Sequence, residues 1–306
     1  MVNESTPNKN LFLAGMILSM TCWGLSWTSA KVIATYGSPM TLTFLRFSFT
    51  FLSMLIILAV LRQPFTIKRS GTRDLFAAAL SISLYTILFF KGITTGKAGA
   101  GGVLVTVLNP IMSYGIMLIL ERRRPNRNET IGLSLGLLAG IVLLKLPMEA
   151  NTIFSAGNIY FLIASLCWAV LSVFTSKASR YGSTITFSTW MYLICIVVLF
   201  IFTGIEGPAA TLSKADGVFW LNFSVVAILA TSLATTFYFV ATARLGASQA
   251  SSYIFLVPFS AALGAWIFLH EVPEWHTMVG GVLGIAAVYI LNRKVVPTPR
   301  PPKGGE

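Results

Sequence analysis

The sequence predicts an all-α integral membrane protein of ten transmembrane helices, arranged as two inverted five-helix repeats. Three observations predict it. The 306 residues are 55% hydrophobic and only 10% charged, with a mean hydropathy of +0.78. A water-soluble domain carries about 25% charged residues, so this chain lacks the polar surface to face water. The chain also repeats itself at close to half its length. Finally, its lysines and arginines fall into alternate connections between apolar runs.

The repeat is carried by three correspondences. Cys22-Trp23 and Tyr36-Gly37-Ser38 return, at the same separation, as Cys167-Trp168 and Tyr181-Gly182-Ser183, 145 residues further on. Leu108-Asn109-Pro110 corresponds to Leu256-Val257-Pro258, and Gly132 with Gly136 to Gly280 with Gly284, both at an offset of 148. A repeat of this length marks a duplicated unit.

A helix that crosses the hydrocarbon needs about 20 mostly apolar residues. Ten such runs follow one another, at 11–35, 40–61, 74–93, 97–120, 129–146, 157–179, 184–204, 218–243, 247–269 and 275–292. The connections carry turn chemistry at Tyr36-Gly37-Ser38-Pro39, Gly96, Gly182-Ser183, Gly204 to Pro208, and Gly246. Residues 1–10 form a polar leader, 11–146 the first repeat, 157–292 the second, and 293–306 a tail that is Pro/Gly-rich and expected to be disordered from Pro297. The first apolar run is too long for a signal-peptide core and lacks a small-x-small cleavage site, so it reads as a retained helix.

The charges order these spans. With a cytoplasmic N-terminus, 16 of the 22 lysines and arginines fall on the inner side, including Arg62, Lys68, Arg69, Arg73 and Arg122 to Arg124, and only Lys97 and Lys214 fall in outer loops. That is the positive-inside pattern. It places both termini in the cytoplasm of a plasma-membrane protein. It also makes the net charge of +12 a topology signal and not a nucleic-acid footprint. Five spans per half is an odd number, so the second half enters the membrane upside down. Inverted halves of this kind hold a substrate between them near the midplane.

This pattern resembles the EamA branch of the drug/metabolite transporter superfamily. The resemblance rests on the five-plus-five duplication, Trp23-Gly24 early in the first span, Phe44-Leu45-Arg46-Phe47 in the second, Pro110 and Pro258 in the fourth and ninth, and Glu121 and Glu271 after them. One departure is the spacing, 11 residues from Pro110 to Glu121 against 13 from Pro258 to Glu271. The resemblance implies small-metabolite transport, often efflux, by alternating access. It fixes no substrate.

The residues themselves suggest where a solute would sit. Trp23, Trp27 and Lys31 share one face of the first span, and their counterparts are Trp168, Ser172 and Ser176. The two stripes are expected to face each other across a central cavity open to one side. Tryptophans also sit at membrane interfaces or pack between helices, so both readings stand. Lys31 and Arg46 are intramembrane charges and so candidate contacts for a substrate carboxylate or phosphate. The alternatives are snorkelling for Lys31 and a structural tie to backbone carbonyls for Arg46. Pro110 and Pro258 are expected to kink their helices and free the carbonyls of Thr106 and Ile254, with Asn109 alongside as a possible ligand. Tyr85, Phe89, Tyr238 (with Phe237) and Tyr253 would complete an aromatic lining. The glycine ridges Gly132-Gly136-Gly140 and Gly280-Gly284 suit close helix packing, within the chain or across a homodimer.

Other chemistry is excluded or weak. The ten acidic residues all lie in loops or near helix ends. With no mid-membrane carboxylate to carry a proton or sodium, a facilitator or exchanger is expected. Cys22, Cys167 and Cys195 form no disulfide framework or metal pattern, so no metal and no cofactor is expected. The two histidines, His270 and His276, lack the acidic cluster an integral-membrane transferase needs. The partners are then the bilayer and a small-molecule solute, with no nucleic acid. Hydroxyls, aromatics and two cations suit an amino acid or related zwitterion; amines, drugs and sugar-phosphate-like anions are the alternatives.

Overall fold

The computed structural model describes residues 9–143, 157–245, 250 and 252–291. The leader 1–8, the end of the fifth predicted span, the turn at Gly246 and the tail from 292 lie outside the described residues. All regular structure among the described residues is helical.

The helices begin and end where the local chemistry directs. The first, α1 (Lys9–Ile33), gives way at Gly37 to α2 (Pro39–Val60). There Ser38 accepts a hydrogen bond from the Thr41 amide (3.2 Å) and Pro39 takes the first helical position, which needs no N–H. Next come α3 (Thr72–Thr95), which stops at Gly96, and α4 (Ala98–Glu121), which stops at Arg122 in the left-handed region (φ 51°). A reciprocal pair starts α5 (Arg127–Leu143): the Asn126 amide donates to Glu129 (2.8 Å) and the Glu129 amide to Asn126 Oδ1 (3.0 Å).

In the second half, α6 (Asn158–Thr175) is followed by a 3₁₀ turn at Ala178–Arg180 and by α7 (Thr184–Thr203). Glycine 204, at φ +57°, ends α7. The segment expected as a plain turn contains a short helix, α8 (Glu206–Leu212). The next rod is continuous in space but changes register: α9 (Gly217–Ser224), a π segment (Val225–Thr235) and α10 (Thr236–Leu245). A 3₁₀ stretch (Ser252–Phe255), α11 (Leu256–Leu269) and α12 (Trp275–Leu291) complete the chain.

Among the described residues helix falls within each of the predicted runs, and six stretches are long and apolar enough to cross a membrane. These are α2, 69–95, α4, 158–180, α7 and the Gly217–Leu245 rod. Val60, Ile119, Ile201, Phe202, Leu221 and Phe259 are each at least 70% exposed. Apolar side chains so displayed belong against hydrocarbon, and the chain is an all-α integral membrane protein.

Proline behaves differently at its two positions. Pro110 lies inside an unbroken α4. Upstream of Pro258 the described chain is 3₁₀ over Ser252–Phe255, and Pro258 is the third residue of α11, where a missing N–H costs no helical bond.

The bundle packs α1 against α11 and the Gly217–Leu245 rod, α6 against α4 and α3, α2 against α7, and α5 against α12. A close approach occurs at Gly24, where an added Cβ would lie 2.8 Å from the Ala261 backbone nitrogen. Only glycine lets α1 and α11 come so near. The glycine ridges are consumed inside the chain. Gly132 faces Leu291 and the Ala287 carbonyl, while Gly280 faces Leu143 and the Ala139 carbonyl. Two buried clusters result, one around Trp27, Phe89 and Phe161, the other around Phe47, Trp168, Tyr192 and Tyr238.

Candidate functional site

The two clusters meet at a buried polar–aromatic junction. It encloses a cavity of about 30 Å³ lined by Trp23, Ser26, Trp27, Arg46, Tyr85, Phe89, Thr106, Asn109, Trp168, Thr235 and Val257. Seven sequence-predicted site residues are therefore brought together: Trp23, Trp27, Arg46, Tyr85, Phe89, Asn109 and Trp168.

Aromatic rings form the walls. Trp23 meets its repeat counterpart Trp168 edge to face at 5.1 Å between centroids, and Trp27 meets Phe89 at 4.6 Å. Tyr85 bridges the two sides, 4.8 Å from Trp168 and 6.1 Å from Phe89. Of the two tryptophan stripes, Trp23 and Trp168 touch, while Trp27 packs on Phe89 and Phe161. The cavity at this junction has room for about two waters, whereas pockets for drug-sized ligands run to about 300–1,000 Å³. A larger groove of about 450 Å³ lies between α4, α11 and α12. It is almost wholly apolar and opens on the outer face of the bundle, beside exposed Phe259, Trp266, Met278 and Val282.

The polar side of the junction is built on the π segment, which the sequence reading missed. Thr231, Ser232 and Thr235 each donate to the carbonyl five residues back, at Val226 (2.6 Å), Ala227 (3.0 Å) and Ala230 (2.8 Å). Their oxygens, and the carbonyls of this widened turn, receive side chains from the first half. Trp23 Nε1 donates to the Ala230 carbonyl (3.0 Å) and Thr235 Oγ1 (3.1 Å). Arg46 Nε donates to Thr231 Oγ1 (2.7 Å), Thr50 donates to the Ala227 carbonyl (3.1 Å), and Ser53 bonds Ser232. Such π insertions in α-helices are frequent at functional sites. The only signal in the sequence was the hydroxyl-rich run Thr231-Ser232 to Thr235-Thr236 within an apolar span.

Arg46 is 8% exposed, and its guanidinium carbon lies 5.6 Å over the Phe89 ring. Its Nη1 is buried without a hydrogen-bond partner. The charged or ionisable groups nearest it are the phenols of Tyr85 and Tyr192, and no carboxylate among the described residues lies against it. On α4, the Asn109 carboxamide, turned so that its nitrogen donates to the carbonyls of Val105 (3.1 Å) and Ser165 (3.3 Å), ties α4 to α6. Thr106 bonds back to the Gly102 carbonyl (2.5 Å) beside it.

Four predicted residues lie outside the cavity. The Lys31 ammonium donates to the carbonyls of Ile93 (2.8 Å) and Gly96, at the C-terminal end of α3. Cations are favoured at that end of a helix, and the side chain is held there and not in the site. Ser172 donates to the Trp168 carbonyl (3.0 Å). Tyr238 packs behind the tryptophans, 5.0 Å from Trp23, and Tyr253 is a half-buried residue against the second cluster.

Polar ties close the bundle at both ends. At one end the Lys68 amide donates to the Tyr181 carbonyl (2.8 Å), the Tyr181 hydroxyl to Asp74 (2.7 Å), and Thr186 to the Pro64 carbonyl (2.7 Å). At the other, Lys97 pairs with Glu274 (2.9 Å), the Gly99 amide donates to Glu271 (3.1 Å), and the Tyr36 hydroxyl to Asp216 (2.9 Å). The Phe219 amide and then Tyr36 hold the Asp216 carboxyl below the usual carboxylate range. Each of these ties joins a segment before residue 100 to one after 180.

Comparison with known proteins assigns the fold to a family. The model of the EamA-like transporter family matches the chain twice, over residues 10–145 and 155–293. An uncharacterized transporter of Archaeoglobus fulgidus is 25% identical, over 91% of this chain and 96% of its own. The uncharacterized transporter YvbV of Bacillus subtilis is 23% identical, over 93% and 91% respectively. A probable terminal-alkyne amino-acid exporter of Streptantibioticus cattleyicolor is 24% identical, over 79% and 81%. A solved crystal structure shares the fold, with a TM-score of 0.60 at 15% identity over 92% of this chain and 96% of that one. The chain belongs to the EamA-like transporter family: it is a transporter of small organic metabolites and not an enzyme.

Proposed function

We propose that this EamA-like transporter works by alternating access between two inverted five-helix halves, 11–146 and 157–292, with ten spans and both termini in the cytoplasm. The observation that carries this reading is reciprocal packing. Gly132 meets Ala287 and Leu291, while Gly280, its counterpart at an offset of 148, meets Ala139 and Leu143, the counterparts of those two residues at the same offset. Such an exchange of contacts between equivalent surfaces is what a two-fold relation between the halves would produce, and it supports the reading. Helix pairing supports the same relation. The partners of α1 (α11 and the Gly217–Leu245 rod) become the partners of α6 (α4 and α3) when the halves are exchanged.

The solute then sits at the junction of the halves, at the cavity between Trp23, Trp27, Arg46, Tyr85, Phe89, Asn109 and Trp168. Parting Trp23 from Trp168 opens it. Releasing the Asp74–Tyr181 ties opens one side, and releasing the Lys97–Glu274 and Glu271–Gly99 ties opens the other. The best candidate solute is an amino acid or related zwitterion, moved out of the cell or exchanged across the plasma membrane. The amino-acid exporter among the relatives supports it, as do the aromatic walls. The described acidic residues all lie near helix ends, which favours exchange or facilitation over proton drive. The test is counterflow of labelled phenylalanine into liposomes holding the purified protein. Counterflow that persists without a proton gradient is expected. Absence of counterflow for every amino acid tried, or strict dependence on the gradient, contradicts the reading.

A further inference from the structure

Arg46 is a buried cation with an unused donor. Its Nε is engaged by Thr231 and its face by Phe89, but Nη1 meets no acceptor, and the cavity lining holds no acidic residue. Water can solvate a guanidinium in so small a space but cannot neutralise it. Buried charges are stable when paired, and nothing else in the lining supplies the pair. The second intramembrane cation, Lys31, is committed to the carbonyls of Ile93 and Gly96.

We propose that Arg46 is the carboxylate anchor of the transported solute, and that the site selects monoanionic organic carboxylates with an apolar or aromatic body. The inference rests on the transporter reading above and names the group it recognises. One free charge matches one negative charge. A phosphate ester brings two, and the second finds no cation. An amine finds no carboxylate in the lining and is repelled by the Arg46 guanidinium already there. An amino acid therefore binds through its carboxylate, and its ammonium adds little.

The experiment compares phenylalanine, 3-phenylpropanoate, phenethylamine and phenyl phosphate by calorimetric titration of the purified protein, then by counterflow in liposomes. Phenylalanine and 3-phenylpropanoate are expected to bind at least about tenfold more tightly than the other two, the discrimination a charge-assisted bond supplies. Arg46→Gln is expected to weaken both carboxylates at least about tenfold, with partial recovery in Arg46→Lys. The wild-type series carries the test even where Arg46→Gln fails to fold. The proposal is overturned if phenethylamine or phenyl phosphate binds as tightly as 3-phenylpropanoate, if neither carboxylate binds, or if a folded Arg46→Gln binds unchanged. Carboxylate binding without counterflow removes the alternating-access reading proposed above and leaves the anchor. Counterflow of phenethylamine alone removes the anchor and leaves the transporter.

Discussion

Arg46→Met asks whether the guanidinium holds the bundle together or waits for a ligand. Methionine keeps an unbranched apolar stem. It forfeits the bond to Thr231 (2.7 Å) and the contact with the Phe89 face (5.6 Å). A charge-assisted hydrogen bond contributes about 1.5–3 kcal/mol and a cation–π contact about 0.5–2 kcal/mol. Opposing both is the cost of keeping a cation from water without a counter-ion, several kcal/mol. Thr231 loses little, because its hydroxyl still donates to the Val226 carbonyl (2.6 Å). The contributions nearly cancel, so stability is expected to hold or to rise by up to about 2 kcal/mol. Breaking a structural tie of the same burial would instead cost about 3–5 kcal/mol. Thermal unfolding of the detergent-purified variant measures the sign, and counterflow of 3-phenylpropanoate measures function. An unchanged or raised Tm with flux lost is the predicted pair. A Tm lowered by the equivalent of about 3 kcal/mol with flux retained would refute the reasoning.

Two further perturbations probe the frame around the site. Gly132→Leu and Gly280→Leu insert side chains at positions related by the proposed two-fold axis, where a Cβ alone would approach Leu291 to 2.6 Å and Leu143 to 2.5 Å. Each is expected to cost about 1–3 kcal/mol by overpacking, with equal losses of Tm; one harmful and one neutral substitution would argue against equivalence. Asp74→Asn weakens the ties to Tyr181 (2.7 Å) and Lys177 (3.8 Å) at one end of the bundle. About 1 kcal/mol lost there favours opening at that end about fivefold, read as faster thiol labelling of Ser26→Cys from the side on which Asp74 lies; unchanged labelling would show that these ties do not gate it.

The helices were legible because each is an apolar run bounded by turn chemistry, as with Ser38-Pro39 ahead of α2 and Gly96 after α3. The site was partly legible. Trp23 and Trp168 stood out as repeat counterparts, and Arg46 as a charge where charge is costly. What could not be read was register and contact. The π segment has the same apolar composition as the α-helix it interrupts, so no periodicity marks it. Lys31 looked like a site residue until its position beside the carbonyl end of α3 was known. The 3₁₀ stretch before Pro258 depends on where α11 begins, which the flanking residues do not announce. Contact between Trp23 and Trp168, which closes the cavity, joins residues 145 apart in the chain.

The central claim is that the halves cross the membrane in opposite senses. Thr35 and Arg180 are repeat counterparts, both exposed, after α1 and α6 respectively. With Cys22, Cys167 and Cys195 replaced, Thr35→Cys and Arg180→Cys can each be treated on intact cells with a membrane-impermeant thiol reagent. Thr35→Cys is predicted to label from outside and Arg180→Cys only after permeabilisation. Labelling of both from the same side would contradict the account.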